Sequence, residues 1–369
     1  MNKFFREILY FTVPILIIIS LPVYVLYLSG ESFRNLKDVR DTNPELIGYL
    51  YHDRNYKVLK YELFKNSEPS IISLGSSRAL QFRSEFFDEK FYNMGYVIKR
   101  MKDLEEFTSF YHDNNLNIKT ILLTVDFWMF NENWDEFYPK ENLLDLTENT
   151  ASELKYIPST FLLRNIWRDI IKGVYPLNQK FQTNYFGLNA QIYNNGFRKD
   201  GSYQYGNQVS KLLSDDKSAG DYKNHTTLDF IKNGKGRFAC STDISESALS
   251  QLRTALDFFA NQEIEIYLLL PPYAPEVYNT LTNQKQSCYA YHDMVISALE
   301  DIEYSYSNVT FIDFSLFNKE EFNQNYYIDG YHGGEVLYYE MLKYISNSSI
   351  KDAIKLKNIE HLNSLELKL

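Results

Sequence analysis

The sequence predicts an α/β protein in three layers. A mostly parallel sheet is covered by helices on both faces, interrupted by a long insertion and preceded by an N-terminal transmembrane helix. Three observations predict it. Short apolar runs such as Ser70–Leu74 (SIISL), Ile118–Val125 (IKTILLTV) and Glu265–Leu270 (EIYLLL) are too brief for most helices and lack the alternation of a half-exposed strand, as expected of strands buried on both faces. Between them lie segments with apolar residues at three- and four-residue intervals, the spacing of an amphipathic helix. Ahead of all of these, Ile8–Leu28 runs for 21 residues without a charge.

That first stretch is long enough to cross a hydrocarbon core of roughly 30 Å. Lys3 and Arg6 precede it and Glu31 follows, so the positive-inside bias puts the N-terminus in the cytoplasm. The remaining body, about 340 residues, is then periplasmic or extracellular. No small-x-small cleavage site follows, which favours an uncleaved anchor over residues 1–30 rather than a signal peptide. Pro14 and Pro22 bend such a helix without forbidding it. Residues 31–66 are charged, tyrosine-rich and partly helical in pattern, and are expected to form a stalk or linker.

The α/β body is expected over 67–346. Strand Ser70–Leu74 ends at Gly75, and Phe91–Met94 is a second short strand. Met101–Asn114 is predicted helical because Leu104, Phe107, Phe110 and Tyr111 fall on one face. Strand Ile118–Val125 follows. From about 131 to 240 the chain turns rich in Asn, Tyr, Trp and Lys with no strong strand run, the pattern of an insertion serving as a lid or substrate wall. The rhythm then returns with helix Ser245–Asn261, strand Glu265–Leu270, a helix including Met294–Leu299, strand Val309–Phe314 and a helix from Gly334 to about Ser346. Residues 347–369 form a Lys/Leu-rich tail with a helical pattern.

Composition narrows the function. There are 38 Lys+Arg against 48 Asp+Glu, a net charge of −10, which argues against nucleic acid as a partner. Two cysteines exclude a disulfide-stapled scaffold and a four-cysteine zinc site. A Cys240–Cys288 disulfide is compatible with an oxidising compartment, but proximity is not readable from sequence. Apart from His332, the histidines His52, His112, His225, His292 and His361 show no ligand spacing, so no metal and no cofactor is expected. His52, His112 and His292 each sit in a Tyr-His-Asp triplet, expected at exposed positions.

Sites in parallel sheets lie beyond the carboxyl ends of the strands. Gly75-Ser76-Ser77-Arg78 follows the first strand: glycine permits the tight turn, and a serine there can attack a carbonyl while its own N–H faces the oxyanion. Asn93-Met94-Gly95 ends the second strand and offers a backbone donor at Gly95. Thr124-Val125-Asp126-Phe127 ends the third. Near the C-terminus, Asp329 and His332 stand three residues apart between Gly330 and Gly333-Gly334. At that spacing the carboxylate can accept from one imidazole nitrogen while the other faces a serine. Ordinary turn and helix-cap roles explain each block taken singly.

Together and in this order, the four blocks resemble the SGNH/GDSL hydrolase superfamily. With the anchor, Gly-Ser-Ser-Arg and Asp126-Phe127, they are most similar to its membrane-anchored branch, which includes D-alanyl lipoteichoic acid and alginate O-acetylation accessory proteins. The resemblance covers 67–130 and 245–346 and implies a flavodoxin-like sheet. It assigns Ser77 as nucleophile, Asp329 and His332 as the other triad members, and the N–H groups of Ser77 and Gly95 as the oxyanion hole. Arg78, Asn93 and Asp126 become candidates for substrate binding, with Arg78 facing an anionic group or packing on an aromatic ring, and a surface ion pair as the equal alternative for Arg78. Two positions depart from the pattern: Ser76 stands for the usual Asp and Asp126 for the usual Asn. An anionic Asp126 cannot donate to an oxyanion, so it is either protonated by burial or differently employed.

The resemblance implies a serine acyltransferase or esterase acting on O-acyl, chiefly acetyl, groups of a cell-surface polysaccharide or polyol polymer. A membrane-bound O-acyltransferase is the implied partner. The rival reading is a non-catalytic assembly or polymer-binding protein. Trp128, Trp134, Trp167 and Tyr185 are candidates for stacking on sugar rings, with core packing as the alternative.

Overall fold

The computed structural model describes residues 3–32, 36–51, 56–134, 160–175, 180–283, 285, 288–317, 322, 324–347 and 354–357. The chain divides into two compact units. One comprises Met1–Glu62, Leu144–Lys199 and Gln204–Asn207; the other comprises Leu63–Leu143, Asp200–Tyr203 and Gln208–Leu369. Its strands are β1 (Leu46–Ile47), β2 (Ile71–Leu74), β3 (Phe91–Met94), β4 (Thr120–Thr124), β5 (Tyr185–Phe186), β6 (Asn195–Arg198), β7 (Tyr203–Tyr205), β8 (Glu265–Leu270) and β9 (Val309–Asp313).

The second unit is built on a five-stranded sheet in the order β3-β2-β4-β8-β9. All four pairings are parallel, as the continuous apolar runs require. Every residue of β2, β3 and β4 is buried, so these strands have no wet face. A buried Leu or Ile contributes about 1.5–3 kcal/mol, and Ile71, Ile121, Leu123, Leu268 and Leu269 are at most 1% exposed. The intervening helices run over Asp103–Asp113, Glu246–Asn261 and Cys288–Ser305, with Glu335–Asn347 following β9. Ser245 caps the second, accepting from the Ala248 N–H at 3.3 Å. From β2 the chain steps to β3 on one side, then crosses to β4 on the other. The carboxyl ends of β2 and β4 therefore flank the point where the winding reverses, the place where such sheets bind ligands.

The first unit carries a smaller sheet in the order β5-β1-β6-β7, with β1 parallel to β5 and antiparallel to β6. The segment 31–66 thus contributes β1 to a sheet, as well as the helices Leu36–Thr42 and Tyr56–Phe64. The segment from about 131 to 240 is shared between the units and, among the described residues, holds three short strands. The N-terminal helix, Lys3–Leu28, is long and apolar enough to cross a membrane, with mean hydropathy 2.3 over its most apolar window. Most of its length is exposed, but Val25 and Leu26 in its last turn pack with Leu162, Ile166, Tyr175 and Leu188. The Glu31 carboxylate that follows is buried and accepts backbone N–H bonds from Leu50, Tyr51 and Leu188 at 2.7–2.9 Å. Those donors offset much of the cost of burying the charge.

Residues 354–357 do not continue as helix. Leu356 bridges Phe87 in antiparallel fashion, and Lys357 donates to the Phe86 carbonyl; the rest of that tail lies outside the described residues. Two histidine expectations divide: His112 is exposed, whereas His292 is buried against the rings of Phe127, Tyr273 and Tyr278. Burial disfavours the imidazolium and holds the His292 pKa below its ordinary value. His52 lies outside the described residues.

Candidate active site

The turn after β2 is set by what surrounds it. A Cβ on Gly75 would lie 1.9 Å from Thr124 Oγ1, so the chain leaves the strand against β4 only with glycine there. Ser76 then caps a single 3₁₀ turn, Ser77–Ala79, accepting from the Arg78 N–H at 3.1 Å, while its carbonyl receives the N–H of Tyr96 at 2.9 Å. The departure at Ser76 thus keeps a capping acceptor at that position. Ser77 emerges half-buried at the carboxyl end of the sheet.

The loop after β9 brings its chemistry to the same place. The Ser77 hydroxyl lies 2.8 Å from His332 Nε2, and His332 Nδ1 lies 2.7 Å from Asp329 Oδ2. Asp329 Oδ1 accepts the N–H groups of Tyr331 and His332 at 3.0 and 2.9 Å, which locks the carboxylate beneath the ring. An ionised carboxylate only accepts, so Nδ1 carries the proton and Nε2 is left to accept from Ser77. Burial alone would raise the Asp329 pKa; the His332 ring and the two backbone donors outweigh it and hold the carboxyl below its ordinary value. The flanking glycines serve close packing. A Cβ on Gly333 would meet Leu337 at 2.6 Å, and one on Gly330 would meet Thr227 at 2.9 Å.

Arg78, expected to face substrate, points the other way. It is 1% exposed, and each of its guanidinium nitrogens is hydrogen-bonded. Nη1 donates to Asp126 Oδ1 at 2.8 Å, Nη2 to the carbonyls of Pro271 and Pro272 at 2.7 and 2.6 Å, and Nε to the Tyr331 carbonyl at 2.8 Å. Its Cζ stacks 4.2 Å from the centre of the Tyr273 ring, and the Tyr338 hydroxyl donates to its carbonyl oxygen. One side chain thereby ties the ends of β2, β4 and β8 to the loop bearing His332. Burial pulls the Arg78 pKa down, but Tyr273, Asp126 and Tyr338 reverse the shift and hold it above the ordinary value. With four of its five N–H donors engaged and the side chain enclosed, Arg78 does not present its charge to a substrate.

The same geometry corrects Asp126. It is 1% exposed and serves as counter-ion to Arg78, so it neither donates to an oxyanion nor faces substrate. Asn93 is also enclosed: its Nδ2 donates to the Ala79 and Phe82 carbonyls, both at 2.8 Å, and its Oδ1 accepts the Gly95 N–H at 2.7 Å. Gly95 is therefore not a free oxyanion donor. Its lack of a side chain serves packing, since a Cβ there would lie 3.1 Å from the Ala79 carbonyl carbon. Of the two expected backbone donors, Ser77 N–H is the one with no hydrogen-bond partner among the described residues.

The four aromatic candidates divide likewise. Trp128 and Trp134 are buried, and Trp134 donates to the Lys99 carbonyl at 2.8 Å. Trp167 donates to the Ile18 carbonyl of the N-terminal helix at 2.7 Å, and Tyr185 lies in β5 of the smaller sheet. Two residues that the sequence reading passed over stand beside the histidine. Tyr331 has its ring centre 4.5 Å from that of His332, and Arg237 stacks on Tyr331. Arg237 lies on a 3₁₀ turn, Gly236–Phe238, just ahead of a Cys240–Cys288 disulfide with Cα atoms 5.2 Å apart. The adjacency of Tyr331 to His332 was a usable signal; nothing in sequence tied Arg237 to this loop.

No family model matches the chain, and no curated protein matches it. Among solved structures, one described as "a putative platelet activating factor from Streptococcus pneumonia" aligns over 82% of this chain and 94% of its own, at 12% identity and a TM-score of 0.37.

Proposed function

We propose that the chain is an extracytoplasmic serine esterase or O-acyltransferase that handles acyl groups, acetyl above all, on a cell-envelope polysaccharide or polyol polymer. The observation that carries the reading is the continuous row from the Ser77 hydroxyl through His332 to Asp329, at 2.8 and 2.7 Å, at the carboxyl end of a parallel sheet. As Ser77 Oγ bonds to the acyl carbon, its proton passes to His332 Nε2, and Asp329 stabilises the imidazolium. The Ser77 N–H, without a partner among the described residues, is available to the developing oxyanion. Collapse breaks the bond to the leaving alkoxide, which takes the proton from His332. The acyl-serine is then attacked by water or an acceptor hydroxyl, with His332 again the base. The N-terminal helix, with Lys3 and Arg6 before it, supports anchorage with the body outside.

The test is a serine-directed fluorophosphonate applied to the full chain in maltoside micelles, with the adduct mapped by mass spectrometry. Labelling at Ser77 that disappears in His332→Ala is expected. A folded protein that stays unlabelled overturns the reading. The engagement of the Gly95 N–H by Asn93 favours a second reading, a non-catalytic partner of a membrane-bound O-acyltransferase. That reading expects normal polymer modification in a Ser77→Ala strain and its loss only on deletion.

A further inference from the structure

We infer that Arg237 and Tyr331 form an anion-recognising subsite beside His332, so that the ester handled at Ser77 carries a carboxylate or phosphate on the same molecule. The inference rests on the acyl-transfer reading for what the anion is attached to. Three features of the molecule carry it.

The first is position. The Tyr331 ring centre lies 4.5 Å from the His332 ring centre and 4.2 Å from Arg237 Cζ, so the guanidinium carbon stands within about 9 Å of the imidazole. That separation suits an acylated hydroxyl and an anionic group on one sugar or polyol unit or on adjoining units. The second is availability. Arg78, Arg83 and Arg100 are each ion-paired, but Arg237 donates no hydrogen bond and meets no carboxylate among the described residues. The Tyr331 hydroxyl likewise has no partner there, and both side chains are half-buried. The carboxylates that act on Tyr331 are themselves engaged: Asp329 with His332, and Asp221 with the N–H groups of Thr226 and Thr227 and the Thr227 hydroxyl.

The third feature is preorganisation. Arg237 is stacked on Tyr331 and Trp128, with Cζ 4.2 and 5.0 Å from the ring centres. Such stacking holds the planar fork in place without using its N–H donors. Its turn is pinned by buried Phe238 and by the disulfide two residues further on. Burial raises the Tyr331 pKa to about 12 even though Arg237 opposes the shift, so the phenol stays a neutral donor at physiological pH. A forked cation beside a phenol O–H matches two oxygens of a carboxylate or phosphate.

The test uses the full chain in maltoside micelles. Turnover of 4-acetoxybenzoate is compared with that of its neutral methyl ester, which shares the acetyl group and the phenolic leaving oxygen. A charge-assisted pair predicts a kcat/KM preference of about tenfold or more for the anionic ester. The preference collapses toward one in Arg237→Gln, is partly kept in Arg237→Lys, and is weakened in Tyr331→Phe. A preference unchanged in Arg237→Gln overturns the inference. Binding of 4-hydroxybenzoate and its methyl ester to Ser77→Ala protein, read by tryptophan fluorescence, keeps the two ideas separable. Arg237-dependent binding of the anion without turnover retains the subsite and sinks the enzyme reading; equal binding of anion and neutral ester sinks the subsite. Competition by soluble glycerol phosphate diesters, against phosphatidylglycerol in the micelle, assigns the anion to a polymer or to a lipid headgroup.

Discussion

Ser77 and Arg78 are consecutive residues of one turn and face opposite requirements. Ser77 is half-buried, with its hydroxyl against His332 and its N–H unengaged among the described residues. Arg78 is sealed beneath it, with donors directed to Asp126, Pro271, Pro272 and Tyr331. The contrast teaches that a reactive group needs unfilled valences and a frame needs none. Arg78 is the frame: it holds the Tyr331 carbonyl one residue before His332, so the distance from His332 to Ser77 depends on a cation that touches no substrate.

The largest expected effect falls on the exposed side of this pair. Ser77→Ala should lower turnover of any accepted ester by at least about 10⁴-fold with an unchanged melting temperature. A smaller loss would mean that the two residues do not divide their roles in this way. Next, Arg78→Met should cost about 3–5 kcal/mol in urea unfolding, because it leaves Asp126 buried and unpaired. Adding Asp126→Leu should recover much of that loss; no recovery would show that the carbonyl contacts matter more than the ion pair. The smallest effect is a pH dependence. Asp329 has a lowered folded pKa, so its stabilisation is complete above the ordinary carboxylate range and is lost as pH falls through the depressed value. The gap in thermal midpoint between wild type and Asp329→Asn should stay constant from pH 7 to about 5 and narrow progressively below about pH 4. A gap that does not narrow at all as pH falls below the ordinary carboxylate range would contradict a carboxylate held charged by His332.

The large sheet was legible because its strands are short apolar runs, buried on both faces in β2, β3 and β4: β3 and β8 run over the residues that the apolar pattern marks, and β2, β4 and β9 fall within theirs. The small sheet was not. Its strands are two to four residues long, most of β6 and β7 is half-buried or glycine-containing, and neither alternation nor a continuous run survives at that length. In the site, the pairing of Asp329 with His332 follows from a three-residue spacing that a sequence exposes, and the approach of Ser77 was implied by the resemblance that its block carries. The roles of Arg78, Asn93 and Asp126 do not, because identity says nothing about whether a side chain at a strand end turns up toward solvent or down between layers. The partners that turned Arg78 inward are main-chain carbonyls at Pro271 and Pro272, which no side-chain motif encodes. The Gly95 N–H was lost to a neighbour two residues away for the same reason.

The Cys240–Cys288 bond gives the molecule a history as well as a shape. It closes a loop across 48 positions, worth about 4 kcal/mol in the chain-entropy account, and that loop contains the helix Glu246–Asn261 and strand β8. In reducing solution the turn bearing Arg237 has no covalent tether; in oxidising solution it is tied to the helix Cys288–Ser305. The arrangement beside His332 thereby depends on redox conditions, and a reduced chain would carry the row of Ser77, His332 and Asp329 with its neighbouring arginine untied.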